Sequence, residues 1–393
     1  MADAVTIGLG SMLGAGIFVV LAPAAAAAGT GLLLGLVVAG IVAYCNATSS
    51  ARLAARYPQS GGTYVYGRER LGPFWGYLAG WCFVAGKTAS CAAIALTVGA
   101  YAWPAHAHAV AAAVVIALTA VNTVGVQKSA WFTRAVVAVV LAVLAAVVVV
   151  IAGSGGADAG RLSLGGGNAF GVLQAAGLSF FAFAGYARIA TLGEEVRDPA
   201  TTIPRAIRIA LGLTLAVYAG VAVAVLGQLG SATLASATAP LADAVTAAGH
   251  PALAPVVRVA AAVAALGSLL ALILGVSRTV LAMARDRRLP TALARIHPRF
   301  GSPYVAEMSV GAVVAVLTAV LDLRGAIGFS SFAVLVYYAI ANAAALTLGR
   351  SKMIPTLGLL GCVVLAVTLP GAAVAAGVGV TLVGAAAYGM RRP

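Results

Sequence analysis

Twelve long apolar segments separated by short polar loops constrain the fold of this chain more than any other feature. A helix needs about 20 apolar residues to cross a bilayer. With 62% hydrophobic residues among 393 and a mean hydropathy of +1.04, the sequence is too apolar for a soluble globular protein. It predicts an all-α polytopic membrane protein with segments at about 5–27, 31–51, 74–103, 107–124, 135–152, 169–192, 209–229, 255–284, 305–321, 326–348, 354–369 and 371–389.

The loops between these segments are alternately basic and nearly uncharged. If the N-terminus is cytoplasmic, that side receives eighteen basic residues and the opposite side only three, Arg161, Arg258 and Arg324. Such an excess is the positive-inside signal of membrane topology. It predicts a multi-pass protein of the cell membrane with both termini in the cytoplasm. It also explains the net charge of +14 without a nucleic-acid partner.

Segment 1 contains four glycines, Gly8, Gly10, Gly14 and Gly16, which weaken a helix at mid-depth. Main-chain groups freed there find no water in the bilayer core, so they must face protein or a cavity. The half-helix that begins after such a break directs the positive end of its dipole at the gap, which suits a carboxylate. Helix packing through the Gly10-x-x-x-Gly14 pattern is an equally supported interpretation at this point.

Segment 6 repeats part of this pattern. Residues 177–186 (GLSFFAFAGY) match residues 8–17 (GLGSMLGAGI) at four of ten positions. Interrupted helices at corresponding positions of two halves indicate the binding site of a transporter. We therefore expect a transport core over 1–348 with repeats at about 5–152 and 169–348, the second inverted because each has five helices. Two peripheral helices follow at 354–389.

Four stretches resemble the amino acid–polyamine–organocation (APC) superfamily of permeases, in its bacterial amino acid permease branch. They are residues 10–18 (GSMLGAGIF), 57–64 (YPQSGGTY), 180–206 with EEVRDP and IPRA, and 283–290 (MARDRRLP). The resemblance covers essentially the whole chain. It implies the leucine-transporter fold, a 5+5 inverted repeat with about 12 transmembrane helices and breaks in segments 1 and 6. It also implies transport of amino acids or amines by alternating access.

The same resemblance implies two groups of substrate contacts. One follows the break in segment 1, and the other lies at the break in segment 6: Gly14, Ala15, Gly16 and Ile17, then Phe180, Phe181, Ala182, Phe183 and Ala184. N–H groups opening a half-helix suit the carboxylate, and carbonyls freed in segment 6 suit the α-amino group. One of the three phenylalanine rings would act as a gate, while at least two pack between helices.

Two departures from the family pattern and the composition of segment 8 bear on substrate and coupling. Some members that carry cationic substrates have an acid just after the segment 6 break, where this chain has Ala187 and Arg188. Some proton-coupled members have a lysine in segment 5, at the position of about Val140 here. Segment 8 offers only the Ser268 hydroxyl over residues 260–276, which is a poor site for sodium. We expect a sodium-independent carrier, either proton-coupled or an exchanger.

Lys87 in segment 3 is the candidate for coupling. A charged lysine side chain at that depth costs several kcal/mol unless it is paired, deprotonated or hydrated. An ionisable residue inside the membrane is therefore taken as functional by default. Its ammonium would tie segment 3 to the broken part of segment 1. Snorkelling to the cytoplasmic face is the alternative. Gating candidates are Arg188 with Glu194 or Glu195, for which a structural interfacial pair is the competing interpretation.

Nothing in the sequence indicates an enzyme, a cofactor or a metal site. The four histidines lie in loops, no H-E-x-x-H occurs, and the four cysteines lie in apolar segments without C-x-x-C spacing. The expected partners are a small amino acid or amine and the lipid bilayer. A polyamine or other organic amine transporter is the alternative function, and a non-transporting sensor or a channel comes next. The substrate, the direction of flux and the oligomeric state stay open.

Overall fold

The structure is a computed structural model that describes residues 2–57, 61–124, 130–163, 168–186, 189, 196, 198–349 and 351–390. All α-helices and short 3₁₀ turns in these ranges come from apolar segments or from their connections. In chain order, the sixteen α-helices are α1 Ala2–Met12, α2 Gly16–Val19, α3 Leu21–Ala28, α4 Leu32–Arg56, α5 Thr63–Leu71, α6 Pro73–Ala102, α7 Ala107–Thr123, α8 Ala130–Gly153, α9 Ala169–Phe183, α10 Pro199–Ser236, α11 Pro240–Ala247, α12 Ala254–Arg285, α13 Tyr304–Val320, α14 Leu323–Leu346, α15 Met353–Thr368 and α16 Gly371–Met390.

Helix lengths agree with a protein that crosses the membrane about twelve times. Within the described ranges, nine helical stretches are long and apolar enough to span a bilayer, and three shorter apolar helices accompany them. The two weakest predicted boundaries are real turns, since α6 ends at Ala102 before Pro104 and α15 ends at Thr368 before Gly371. The predicted all-α polytopic fold is confirmed.

Segments 1 and 6 are the interrupted ones. Segment 1 divides into α1, α2 and α3, and residues 13–15 between α1 and α2 are not helical. Segment 6 is α9 followed by a 3₁₀ turn at Ala184–Tyr186. We call residues 13–15 break 1 and Ala184–Tyr186 break 6. Both breaks fall where the glycine patterns predict them.

Small residues let the membrane helices approach closely around these breaks. A Cβ atom at Gly35 of α4 would lie 3.0 Å from the Ala175 Cβ on α9, and one at Gly86 of α6 would lie 2.9 Å from the Ala333 Cβ on α14. Association of helices in lipid relies on such packing because burial from water adds little there. Around the breaks, α1 packs against α8, α10 and α12, and break 6 contacts α1, α10 and, through the rings of Tyr186 and Tyr338, α14.

Short helices and charged residues distinguish the two ends of the bundle. At the basic end, α5 connects segments 2 and 3, and its Tyr64 hydroxyl donates to Asp286 at the end of α12 over 2.6 Å. At the other end, the three arginines assigned there donate to main-chain carbonyls: Arg161 to Gly227 and Gln228, Arg258 to Tyr101, and Arg324 to Ala235. Cations near helix C-termini are favourable because carbonyls and the helix dipole face them.

Candidate functional site

Break 1 is buried and lies in contact with two other helices. Leu13 and Ala15 are each 2% exposed. A Cβ atom at Gly14 would lie 2.1 Å from the Ser268 Oγ of α12, and one at Gly16 would lie 2.7 Å from the Cα of Ala182 in α9. Only glycine allows these approaches. Gly14 allows break 1 to pack against the Ser268 hydroxyl, and Gly16 allows it to pack against α9, the helix that precedes break 6.

Break 6 completes this contact from the opposite side. A Cβ atom at Gly185 would lie 2.2 Å from the Ser11 carbonyl oxygen of α1. The two interrupted helices therefore meet at Gly16 with Ala182 and at Ser11 with Gly185. In this conformation the breaks are closed upon each other, and the sequence-predicted residues Gly14, Ala15, Gly16, Ala182 and Ala184 are brought together in one buried region.

Lys87 reaches this region from α6. It is 7% exposed, and its Nζ donates a hydrogen bond to the Ala184 carbonyl oxygen over 3.3 Å. The ammonium is therefore held inside the protein at break 6. This bond joins segment 3 to segment 6, and the expected connection of Lys87 to segment 1 stays a prediction. Ala184 begins the 3₁₀ turn, where the change of helix type leaves carbonyls outside the α-helical hydrogen-bond pattern.

Tyr218 of α10 joins the two interrupted helices. Its hydroxyl group lies within hydrogen-bond distance of the carbonyl oxygen of Met12, which is the last residue of α1. The same hydroxyl lies 3.2 Å from the Ala182 carbonyl oxygen of α9. One hydroxyl hydrogen serves two acceptors, so it can bond fully to only one at a time. Tyr218 is not among the site residues predicted from the sequence. A tyrosine within an otherwise apolar segment, which needs a partner for its hydroxyl when buried, was the available signal.

The three phenylalanines of segment 6 differ in burial. Phe180 is fully buried with its ring 5.9 Å from that of Tyr338, and Phe183 is fully buried with its ring 5.2 Å from that of Tyr218. Phe181 is only partly buried, and it packs against both hydrophobic clusters of the protein. Phe181 is therefore the one ring of the three with room to change position. Ile17 has no exposed surface and belongs to the packed core.

Towards the end of the bundle that carries few charges, an aromatic pair covers break 1. The Tyr101 hydroxyl of α6 donates to the Phe18 carbonyl oxygen over 2.7 Å, and the two rings meet edge to face at 5.8 Å. A cavity of about 250 Å³ lies on this side, lined in part by Val19, Ala22 and Leu96. Val19 lines this cavity and directly follows Phe18, so the cavity adjoins the chain at the aromatic pair.

At the basic end, the α5 helix is bonded to the core helices. Asp286 accepts from the Tyr64 hydroxyl and, over 3.2 Å, from Arg68. Burial and the hydrogen bond to Asp286 raise the pKa of the Tyr64 hydroxyl, so it stays protonated and donates at neutral pH. The backbone N–H of Thr63 also donates to the Tyr337 hydroxyl of α14 over 3.1 Å. These bonds connect the loop after segment 2 to α12 and α14.

The predicted gating residues Arg188, Glu194 and Glu195 lie outside the described residues. In the described ranges, no cluster of three or more histidine, cysteine, aspartate or glutamate side chains is placed to hold a metal ion. Val140, where some family members have a lysine, is 2% exposed in α8.

Comparison with known proteins gives consistent similarities. The family model described as amino acid permease matches residues 3–370. An uncharacterized transporter of Mycobacterium tuberculosis is 71% identical over 99% of this chain and 90% of its own length. The branched-chain amino acid permease BcaP of Bacillus subtilis is 26% identical over 82% of this chain and 74% of its own length. The cationic amino acid transporter 4 of the mouse is 27% identical over 90% of this chain and 60% of its own length.

Proposed function

Because the chain belongs to the amino acid permease family, within the APC superfamily, we propose that it carries amino acids across the cell membrane by alternating access. It is a multi-pass membrane transporter and not an enzyme. The substrate site that we propose lies between break 1 and break 6. Alternating access would open this closed contact first to one side and then to the other, with the two repeats at about 5–152 and 169–348 moving relative to each other.

One observation carries this assignment, namely the ammonium of Lys87 on the Ala184 carbonyl oxygen at 3.3 Å. It supports the view that the carbonyls at break 6 accept from a positively charged nitrogen within the membrane. The α-amino group of an amino acid is such a nitrogen. The N-terminal end of α2, which follows Gly14 and Ala15, would hold the carboxylate through its first N–H groups and its dipole. The Ser268 hydroxyl beside Gly14 is a further donor for that carboxylate.

Neutral amino acids fit this site better than cationic ones. Phe181, the partly buried ring next to break 6, is the side chain that we assign to substrate contact. The fully buried Ile17, Phe180 and Phe183 make its surroundings apolar, and Lys87 adds a positive charge. A cationic side chain would add a charge that the carboxylate of the substrate does not balance, and the Lys87 ammonium would repel it. The site also has no carboxylate of its own among the described residues assigned to it. A branched-chain permease is one relative and a cationic transporter is another, so the comparison itself leaves both classes as candidates.

We propose that transport is sodium-independent and is either coupled to protons or an exchange reaction, with Lys87 as the coupling residue. A transporter must respond to whether its site is occupied. Lys87 meets this requirement because its bond to Ala184 competes with any other ammonium for the same oxygen. The orientation with cytoplasmic termini rests on the basic loops, including Arg285, Arg287 and Arg288 after α12.

Flux measurements with the purified protein in liposomes test the assignment. Labelled leucine, arginine and putrescine would be offered separately to proteoliposomes and to empty liposomes. We expect accumulation of leucine that excess unlabelled neutral amino acids suppress, and little flux of arginine. Uptake of putrescine alone would favour an organic amine transporter. Ligand-induced thermal stabilisation without flux would indicate a sensor, and ion conductance would indicate a channel.

A further inference from the structure

A groove on the lipid-facing side of the bundle shares only Phe183 with the residues assigned to the proposed substrate site. It has a volume of about 250 Å³ and lies between α4 and α10. Ile41 and Tyr44 of α4 form one wall and are 56% and 40% exposed. Leu211 and Leu215 of α10 line the opposite side. The groove is therefore open to whatever surrounds the membrane helices.

The floor of the groove exists because one position lacks a side chain. Gly212 of α10 lines the groove, and a Cβ atom there would find no heavy atom within 4 Å. The depth is limited by Phe183, the fully buried last residue of α9. An occupant would pack against the residue that directly precedes break 6. Shape and polarity suit a flexible hydrocarbon chain, since exposed apolar surface in a bilayer is covered by lipid tails.

One end of the groove carries a positive charge. Arg208 lines it, seven residues before Leu215, or roughly 10 Å along the helix. The Nε atom of Arg208 donates to the Pro204 carbonyl oxygen over 3.3 Å, which directs the side chain back towards the N-terminal end of α10. That end belongs to the basic side of the bundle. A guanidinium has five N–H donors in a planar fork, so donors other than Nε–H suit the oxygens of a phosphate.

We propose that this groove binds one anionic phospholipid, with an acyl chain on Gly212 and Phe183 and the phosphate on Arg208. Basic pockets between transmembrane helices on the cytoplasmic side bind anionic lipid headgroups. Their positive charge is opposite to that of the headgroup, and they lie at the depth of the headgroup in the bilayer. A zwitterionic lipid offers the same chain but places a compensating cation beside Arg208. The bound chain supports the end of α9 and thereby the contact between break 1 and break 6.

Lipid retention by the purified protein tests this proposal. The protein would be incubated in detergent with phosphatidylglycerol or phosphatidylcholine of identical acyl chains, and intact-mass spectrometry would count the bound lipids. We expect one phosphatidylglycerol to be retained severalfold better than phosphatidylcholine and to raise the melting temperature more. Equal retention and equal stabilisation by the two lipids would overturn the proposal.

Two variants with matched controls locate the site. Gly212→Leu fills the groove and should abolish retention of that lipid, whereas Gly220→Leu, also in open space on α10, should not. Arg208→Gln should remove the preference for phosphatidylglycerol, whereas Arg205→Gln, an exposed charge outside the groove lining, should keep it. If Gly212→Leu behaves as Gly220→Leu does, or if it changes only the oligomeric state, the groove is not a lipid site.

Discussion

At the scale of single residues, Lys87 is a buried lysine whose hydrogen-bond partner is a main-chain carbonyl at break 6. A buried ammonium needs acceptors, and inside a membrane the available neutral ones are carbonyls that a regular helix does not use. The 3₁₀ turn at break 6 supplies the Ala184 carbonyl. The fully buried Cys91 thiol lies one turn further along the same helix. Lys87 and the break therefore depend on each other, and a ligand at the break changes the surroundings of the lysine.

We expect Lys87→Ala to remove the pH dependence of uptake and to lower its rate severalfold, while equilibrium exchange is less affected. The variant keeps the breaks but loses the group that can carry a proton between states. Uptake at several external pH values, at matched expression, measures this effect. Lys352→Ala, an exposed lysine beyond α14, serves as the control. If Lys87→Ala keeps the wild-type pH profile, the lysine is structural and another group carries the coupling.

At the scale of secondary-structure elements, each broken helix is shaped to fit the other. Glycine stands where the backbones approach most closely, at Gly16 against Ala182 and at Gly185 against the Ser11 carbonyl. Because each contact joins backbone to backbone, a larger side chain cannot avoid it by changing its rotamer. Packing of this kind in a closed site resists overfilling by side chains.

Gly16→Leu should abolish ligand binding while the protein still inserts and expresses. Its Cβ alone would lie 2.7 Å from both Cα and Cβ of Ala182, so the breaks must separate and α2 must leave its position. Gly275→Leu is the matched control, since no heavy atom lies within 4 Å of a Cβ there. Ligand-induced thermal stabilisation and uptake would be measured for both variants. Equal ligand affinity in Gly16→Leu and wild type would reject the site.

Features with a local signature were predictable from the sequence, and features made by distant contacts were not. Glycine spacing identified both breaks, and apolar length identified the helices. The partner of Lys87 is 97 positions away in sequence, and Tyr218 lies 206 positions from Met12. The hydrophobic periodicity of a sequence does not predict such pairs, because they depend on how the helices pack against each other. The closure of Gly16 on Ala182 was likewise invisible, since a small residue signals a close approach without naming its partner.

At the scale of the whole molecule, the two ends of the bundle are closed by different interactions. An aromatic pair, Phe18 and Tyr101, covers break 1 on the side with few charges. Charged and hydroxyl groups of α5 and α12 form the link on the basic side, through Asp286. Alternating access requires one closure to open while the other holds. Changes at Asp286 should therefore affect the basic side selectively.

We expect Asp286→Asn to loosen α5 from α12. The carboxylate accepts from both Tyr64 and Arg68, and losing its charge at this half-exposed position costs about 1 kcal/mol. That corresponds to a roughly fivefold increase in local opening. Hydrogen–deuterium exchange over Thr63–Leu71 measures it. Glu69→Gln is the control, because Glu69 pairs with Arg68 inside α5 and makes no link to α12 in that pair. Equal exchange in both variants would contradict the linking role.

Sodium should not drive this protein, and the reason concerns how charge is distributed over the whole transport core. A hard cation needs several oxygen ligands at a fixed distance. The central stretch of α12, residues 260–276, has the single hydroxyl of Ser268, and that hydroxyl lies against Gly14. Beside break 6, the ammonium of Lys87 already supplies a positive charge to a main-chain carbonyl. A second cation in the same closed region would be repelled.

The measurement is amino acid uptake into proteoliposomes with external sodium replaced by choline, at constant pH and osmolarity. We expect the initial rate to stay within experimental error of that in sodium. Collapsing the proton gradient with an ionophore then separates the two remaining modes, because symport would slow and exchange against internal substrate would continue. A steep sodium requirement would contradict the assignment and would direct attention to oxygen ligands other than Ser268. The same assay on Lys87→Ala connects the residue to the driving force, since a proton-coupled carrier should lose its response to the ionophore when the lysine is removed.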